Sequence, residues 1–203
     1  MSPEGPEKLS IESWMRKSFQ PLLGKVAAAF LRAGLTPNQV TLIGLVGTMI
    51  AAVLAANGKL WWGGLVLLLM APLDAVDGAM ARLRGKASPF GAFLDSTMDR
   101  YEELILLGGL LYYFWSLNNP LGMGLTYLAA CGSVLVSYTR ARAEALGLTA
   151  KVGILSRVER AIVLVLGLLF GIPLVSVGII ALLANVTALQ RIAAVARQSQ
   201  SNK

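Results

Sequence analysis

The sequence predicts an all-α integral membrane protein, with an N-terminal interfacial amphipathic helix followed by six transmembrane helices. Three observations carry that expectation. Of 203 residues, 56% are hydrophobic and only 14% charged, where a soluble domain carries about 25% charged residues. The apolar residues run in long blocks instead of alternating with polar ones, the pattern of membrane spans. Lysine and arginine, finally, collect almost entirely on one side of those blocks. No linker, low-complexity tract or internal repeat divides the chain, so residues 1–203 are expected to form one membrane domain.

In chain order, residues 11–33 place Ile11, Trp14, Met15, Phe19, Leu22, Leu23, Val26 and Phe30 at helical spacing. Charged and polar residues fill the remaining positions, as in a helix lying on a membrane surface. Pro21 is expected to kink this helix and Gly34 to end it. Thr36 then reads as an N-cap with Pro37 in the first helical position. A six-helix bundle over 38–197 follows, with spans at 38–57, 60–82, 91–117, 121–146, 158–171 and 173–197, the fifth of them short for a span of about 20 residues. The polar, mixed-charge N-terminus does not read as a signal peptide.

Assigning loops to alternate sides puts seventeen of the 18 lysines and arginines on the side of the N-terminus and leaves Lys59 alone on the other. The expected topology is multi-pass in the cell membrane, with both termini cytoplasmic. Trp61, Trp62 and the aromatic run 112–115 fall at the outer ends of their helices, as an interfacial belt. The net charge of +7 is thereby explained by topology, and a nucleic-acid partner is not expected. Histidine is absent and Cys131 is the lone cysteine. An intramolecular disulfide is thus excluded, and any metal has to be held by oxygen ligands.

One stretch breaks the apolar pattern. Residues 74–99, DAVDGAMARLRGKASPFGAFLDSTMD, hold four aspartates between two hydrophobic segments. Asp74 and Asp77 are spaced i, i+3 near the end of the second span, and Asp95 and Asp99 i, i+4 near the start of the third. Each pair therefore shares a helix face, and a short loop sets the two pairs at matched depth. Gly78 lies one turn after Asp74 and Gly91 one turn before Asp95, baring backbone on each carboxylate stripe for a close-approaching ligand. Arg82 continues the stripe toward an anionic group. Four facing carboxylates cannot all remain charged in a low-dielectric setting. Divalent cations relieve that repulsion, and carboxylate oxygens suit Mg²⁺, Mn²⁺ or Ca²⁺. The simpler alternative is structural ion pairing with Arg82, Arg84, Lys86 or Arg100. A cation transporter is a rival from another class, but it predicts carboxylates near the bilayer midplane rather than near one surface. A structural scaffold would leave the aspartates replaceable.

The pattern D-x2-D-G-x2-A-R-x8-G-x3-D-x3-D, formed by Asp74, Asp77, Gly78, Ala81, Arg82, Gly91, Asp95 and Asp99, resembles the signature of the CDP-alcohol phosphotransferases at all eight fixed positions. The resemblance implies transfer of a phosphatidyl group from CDP-diacylglycerol to an alcohol, with release of CMP. It implies two Mg²⁺ or Mn²⁺ ions, one held by Asp74, Asp77 and Asp95 and one by Asp74, Asp95 and Asp99, with Asp99 as general base. It also places Asn38, Gln39, Val40, Thr41, Gly78, Arg82, Ser88 and Gly91 about the CDP-diacylglycerol, puts the active site on the cytoplasmic side, and implies a homodimer.

A second basic cluster, 137–160, contains Arg140, Arg142, Arg157 and Arg160, whose guanidinium forks suit a phosphate. "YTRARAE" and "SRVER" resemble the Y-x-K-A-R-A-E and E-R-P-E-R patterns of the branch that converts inositol 1-phosphate to phosphatidylinositol phosphate. Arg140 stands in place of a lysine, and Ser156 and Val158 in place of a glutamate and a proline. A phosphorylated polar acceptor is expected, inositol 1-phosphate first and glycerol 3-phosphate as the alternative.

Overall fold

The structure is a computed structural model and describes residues 23–85 and 88–201. Helical residues 23–32 form α1, the described end of the expected surface helix; residues 11–22 and the kink at Pro21 lie outside the described residues. The helices α2 (Pro37–Ala56), α3 (Leu60–Met70), α4 (Leu73–Leu83), α5 (Pro89–Ser116), α6 (Pro120–Ala145), α7 (Arg157–Leu169) and α8 (Pro173–Ser201) follow. Among the described residues, four helical stretches are long and apolar enough to cross a membrane: Pro37–Ala56, Leu60–Leu83, Pro120–Ala145 and Pro173–Gln200. The protein is thus an all-helical membrane protein. The 28-residue α5 is long enough, but its first half is rich in charge, and the 13-residue α7 is short.

Local chemistry accounts for the helix ends. Thr36 caps α2 in a reciprocal capping box with Gln39, and Pro37 occupies the first turn, as its spacing predicts. Ser88 caps α5, its hydroxyl accepting from the Gly91 amide at 2.9 Å. Ser156 and Glu159 form a second capping box at the start of α7. Gly34, Gly58, Gly85, Gly147 and Gly171 each take a positive φ where a helix ends, the left-handed geometry that glycine adopts without strain.

The second span differs from its expected form. It is interrupted at Ala71 and Pro72, so that α3 and α4 are separate helices. Proline has no amide hydrogen to continue the ladder, and its ring crowds the preceding turn. The two acids of this span therefore sit on a short helix of their own, with Asp74 in its first turn.

α2 is the common wall of the bundle. It packs on α3, α4 and α5, while α6 packs on α5 and α8, and α7 on α3 and α8. The expected adjacency of α4 and α5 is indirect, since each leans on α2 more than on the other. A main core gathers Ala51, Ala52 and Ala55 of α2 with Leu106, Leu107, Leu110 and Phe114 of α5 and residues from α6 to α8. A smaller cluster joins Ala27 of α1 to Val40, Val76 and Met80, fixing α4 against the start of α2. Trp61, Trp62, Tyr112 and Trp115 are exposed at the ends of α3 and α5 far from the aspartates, where an aromatic belt belongs.

Glycine sets the closest approach between helices. A Cβ on Gly109 would stand 2.5 Å from the Ala52 carbonyl oxygen, and one on Gly63 would stand 2.9 Å from that of Ala51. Gly108, its neighbour in the chain, faces open space instead. Replacing Gly109 by valine should lower the stability of the detergent-solubilised protein by about 1–3 kcal/mol through overpacking. Gly108→Ala, which meets nothing and removes a mid-helix glycine, should hold or slightly raise the thermal unfolding midpoint, and the same fluorescence-monitored melt reads both.

Candidate active site

The carboxylates gather at the loop end of the bundle, between α4, α5 and the start of α7. Asp77 is the most enclosed, 4% exposed, and accepts a 2.5 Å hydrogen bond from the Thr41 hydroxyl of α2. It lies within electrostatic reach of Asp74 and Asp95. Asp95 is half-buried and also feels the charge of Asp74. Asp99 is crowded by Asp74 and Asp95 and attracted by Arg157 and Arg100. The two pairs predicted from spacing are therefore brought together across the helices.

Their counter-charge comes from an unexpected place. Nη2 of Arg157, in the first turn of α7, donates to Asp74 Oδ2 at 2.7 Å and lies 2.8 Å from Asp99 Oδ1. Glu102 Oε2 lies 3.5 Å from the same nitrogen. Of the local partners weighed from the sequence, Lys86 lies outside the described residues, and among the described ones only Arg100 meets an aspartate, reaching Asp99 at 3.5 Å. One guanidinium nitrogen thus joins both halves of the 74–99 motif and ties them to the 137–160 cluster.

That nitrogen marks a position for a cation. Among the described residues, no three carboxylates are already arranged as a metal cage. The donor set is nevertheless all oxygen, as Mg²⁺ and Mn²⁺ require. The 2.7 and 2.8 Å contacts exceed a Mg–O distance of about 2.0–2.1 Å by well under 1 Å. The Arg157 side chain is 36% exposed. The residues fit a divalent ion after that small inward shift.

Around this centre the predicted lipid-nucleotide residues divide. Asn38 and Ser88 flank Gly91, where a Cβ would meet Ser88 Oγ at 3.0 Å and Asn38 Oδ1 at 3.6 Å. The Arg82 guanidinium lies along Gly78, 3.5 Å from the place of its missing Cβ, and is exposed. The side chains of the next three residues do other work: Gln39 completes the cap of Thr36, Val40 is fully buried, and Thr41 holds Asp77.

The arginines expected at the acceptor also separate. Arg140 is exposed and pairs with Glu144 at 3.0 Å, and Arg142 is exposed. Arg160 is 1% exposed and grips Glu103 with both ends of its fork, at 2.6 and 2.9 Å. A further arginine, Arg191 of α8, is buried. It donates to the backbone carbonyls of Val152, at 2.9 Å, and Val136, and it feels the like charges of Arg140 and Arg160 and the opposite charge of Glu144. With Thr187, whose hydroxyl accepts from the amides of Ile154 and Leu155, it straps loop 146–156 to α8.

Glu102, Glu103 and Arg191 fall outside the motif-based expectation. Glu102 had a signal, since Asp95, Asp99 and Glu102 follow i, i+4, i+7 on one face. Arg191 also had one, as a charge inside an otherwise apolar span. The Arg160–Glu103 fork yields a clear expectation. Arg160→Met leaves a buried carboxylate unpaired and should destabilise the protein by about 3–5 kcal/mol. The double variant Arg160→Met/Glu103→Leu should recover most of that loss in the same denaturant titration.

Residues 34–193 match the CDP-alcohol phosphatidyltransferase family. The chain is 40% identical over 162 residues to a phosphatidylinositol phosphate synthase of Mycobacteroides abscessus, covering 76% of this chain and 71% of that one. It is 39% identical over 176 residues to an archaetidylinositol phosphate synthase of Pyrococcus horikoshii, with 85% and 89% covered. The crystal structure of Mycobacterium tuberculosis phosphatidylinositol phosphate synthase with CDP-DAG bound superposes with a TM-score of 0.79 at 34% identity, over 86% of this chain and 94% of that one. The same enzyme in complex with manganese and citrate gives a TM-score of 0.80 over 85% and 88%. With the eight-position motif folded around one cation position and the match running through seven helices, this chain belongs to the CDP-alcohol phosphatidyltransferase family.

Proposed function

We propose that this protein transfers the phosphatidyl group of CDP-diacylglycerol to inositol 1-phosphate, giving phosphatidylinositol phosphate and CMP. The observation that carries this is the single cation position shared by Asp74 and Asp99, reached by an arginine from the second basic cluster. In this reading an oxygen-ligand metal centre lies directly beside an anion-binding one.

Asp74, Asp77 and Asp95 would hold one Mg²⁺ or Mn²⁺, and Asp74, Asp95 and Asp99 a second. Divalent ions bound there supply Lewis-acid stabilisation of the phosphoryl and leaving-group oxygens. Thr41 fixes the Asp77 carboxylate through its 2.5 Å bond, keeping a ligand aimed inward. Asn38, Ser88 and the bare backbone of Gly78 and Gly91 form the wall against which the CDP group lies, with Arg82 beside its phosphates. Asp99 accepts the proton of the acceptor hydroxyl. The freed oxygen bonds to the lipid-bearing phosphorus, the bridging phosphoanhydride bond breaks, and its electron pair leaves with CMP. Arg140, Arg142, Arg157 and Arg160, joined by Arg191, supply the positive field for the acceptor phosphate. The inositol phosphate synthases among the relatives favour that acceptor over glycerol 3-phosphate.

In this reading α5 and the α7 segment complete six spans within a single domain over 1–203. The termini and the site face the cytoplasm, because the basic residues lie at the site end. The acyl chains stay in the bilayer, and the protein is a homodimer in the cell membrane.

CMP release from CDP-diacylglycerol should depend on added Mg²⁺ or Mn²⁺, stop with EDTA, and be fastest with inositol 1-phosphate in a panel that includes glycerol 3-phosphate, serine and inositol. No release with any acceptor would end this reading. Asp99→Asn should lower kcat by about 10²–10⁴-fold while CDP-diacylglycerol binding stays within a few-fold. Normal turnover would remove Asp99 as the base.

A further inference from the structure

Arg157 is asked to serve two masters. Its Nη2 contacts Asp74, Asp99 and Glu102 at once, yet the proposed reaction assigns the two aspartates to metal and the arginine to the acceptor phosphate. Once Asp74 and Asp99 ligate metal, their oxygens are no longer available to the guanidinium, and like charge repels it from the same spot. What then holds Arg157 at the site depends on the third carboxylate.

Glu102 is built for that part. It lies on the Asp95–Asp99 stripe of α5, one turn deeper in the bundle, and is 13% exposed. Its Oε2 makes only the long 3.5 Å contact to Arg157. Its Oε1 is buried with no hydrogen-bond partner and rests against α2, 3.1 Å from where a Cβ on Gly44 would stand. A buried carboxylate oxygen without a donor is a rare and costly arrangement. The neighbouring Glu103 is fully satisfied by Arg160 in a two-pronged fork, so the deficit belongs to Glu102 alone. Beside it, Glu102, Asp99, Arg157 and Thr48 line a cavity of about 60 Å³. The cavity gives the guanidinium room to turn toward Glu102.

We infer that Glu102 is the positioning residue for Arg157. It keeps the guanidinium at the edge of the metal centre when Asp74 and Asp99 ligate metal, and so presents it to the phosphate of the acceptor. Arg157 then meets Glu102 in the same forked geometry by which Arg160 meets Glu103, satisfying Oε1. Glu102 lies outside the eight-position motif and acts through Arg157, neither binding metal nor touching the reacting atoms. The inference rests on reading the aspartates as metal ligands and Arg157 as an acceptor ligand.

The test uses the full chain in detergent. Free Mn²⁺ is followed by electron paramagnetic resonance for the wild type, Asp95→Asn and Glu102→Gln. Inositol 1-phosphate is titrated calorimetrically into the Mn²⁺-loaded proteins, without the lipid substrate. Glu102→Gln should bind Mn²⁺ within about threefold of the wild type, whereas Asp95→Asn should lose it. Glu102→Gln should weaken inositol 1-phosphate binding about tenfold, Glu102→Asp should restore part of that loss, and KM for CDP-diacylglycerol should stay within about twofold. In an Arg157→Gln background, Glu102→Gln should add less than about twofold, because residues acting as a unit are not additive. A loss of Mn²⁺ affinity above tenfold in Glu102→Gln would make Glu102 a metal ligand and overturn the inference. Equal loss for both substrates, additivity with Arg157→Gln, or unchanged acceptor binding would also overturn it. Absence of Mn²⁺ binding by the wild type would defeat the underlying metal assignment and the inference with it. Should Glu102→Gln prove too unstable to purify, Glu102→Asp carries the same comparison.

Discussion

Everything at the loop end of this bundle depends on placing carboxylates inside an apolar helical protein without leaving their charge unanswered. Asp74, Asp77, Asp95, Asp99, Glu102 and Glu103 come from two helices that hardly touch each other. Isolated, each would be expelled or neutralised, because an unpaired charge in a low-dielectric interior is prohibitive. The bundle answers with α7, whose first turn carries two arginines three residues apart. Arg157 reaches Asp74, Asp99 and Glu102, and Arg160 closes on Glu103. The position of α7 against α3 and α8 is therefore an electrostatic necessity as much as a packing preference. The capping box of Ser156 and Glu159 starts the helix at the residue where the charge is needed.

The wall behind this centre is made of small residues for a related reason. α2 meets α4 through Thr41 and α5 through the faces of Gly44 and Ala52. Bulk at those positions would push the two acid-bearing helices apart. A hydroxyl at 41 and bare backbone at 44 let one helix support both, one by a hydrogen bond and the other by close contact.

Much of this was readable in the sequence, and the parts that were not share a cause. Gly34 closed α1, and Thr36 and Pro37 opened α2, because caps are local chemistry, and the apolar blocks located the helices because burial has a helical period. The two aspartate pairs were legible because both members of each lie on one helix. Arg157 was legible as a phosphate-binding candidate but not as the partner of Asp74, 83 residues away. Periodicity reports which face of a helix a residue occupies, not what the fold sets opposite it. Arg191 and Glu103 escaped for the same reason, since their partners lie on other segments. The break at Pro72 was hidden because the apolar run continues through it, and hydropathy is indifferent to a missing amide hydrogen. Val40 shows the converse: its place in the motif says nothing about its side chain, which the core has taken.

The interruption at Ala71 and Pro72 has a mechanical meaning. An unbroken helix from Leu60 to Leu83 would act as a lever, carrying any tilt of its lipid-facing half into Asp74 and Asp77. Bilayers differ in thickness, and spanning helices adjust by tilting. With Pro72 at the joint, α4 takes its bearing from Val40 of α2 and Ala27 of α1, while α3 is held by α2 and α7. The acids therefore take their position from α1 and α2 as well as from the span that delivers them.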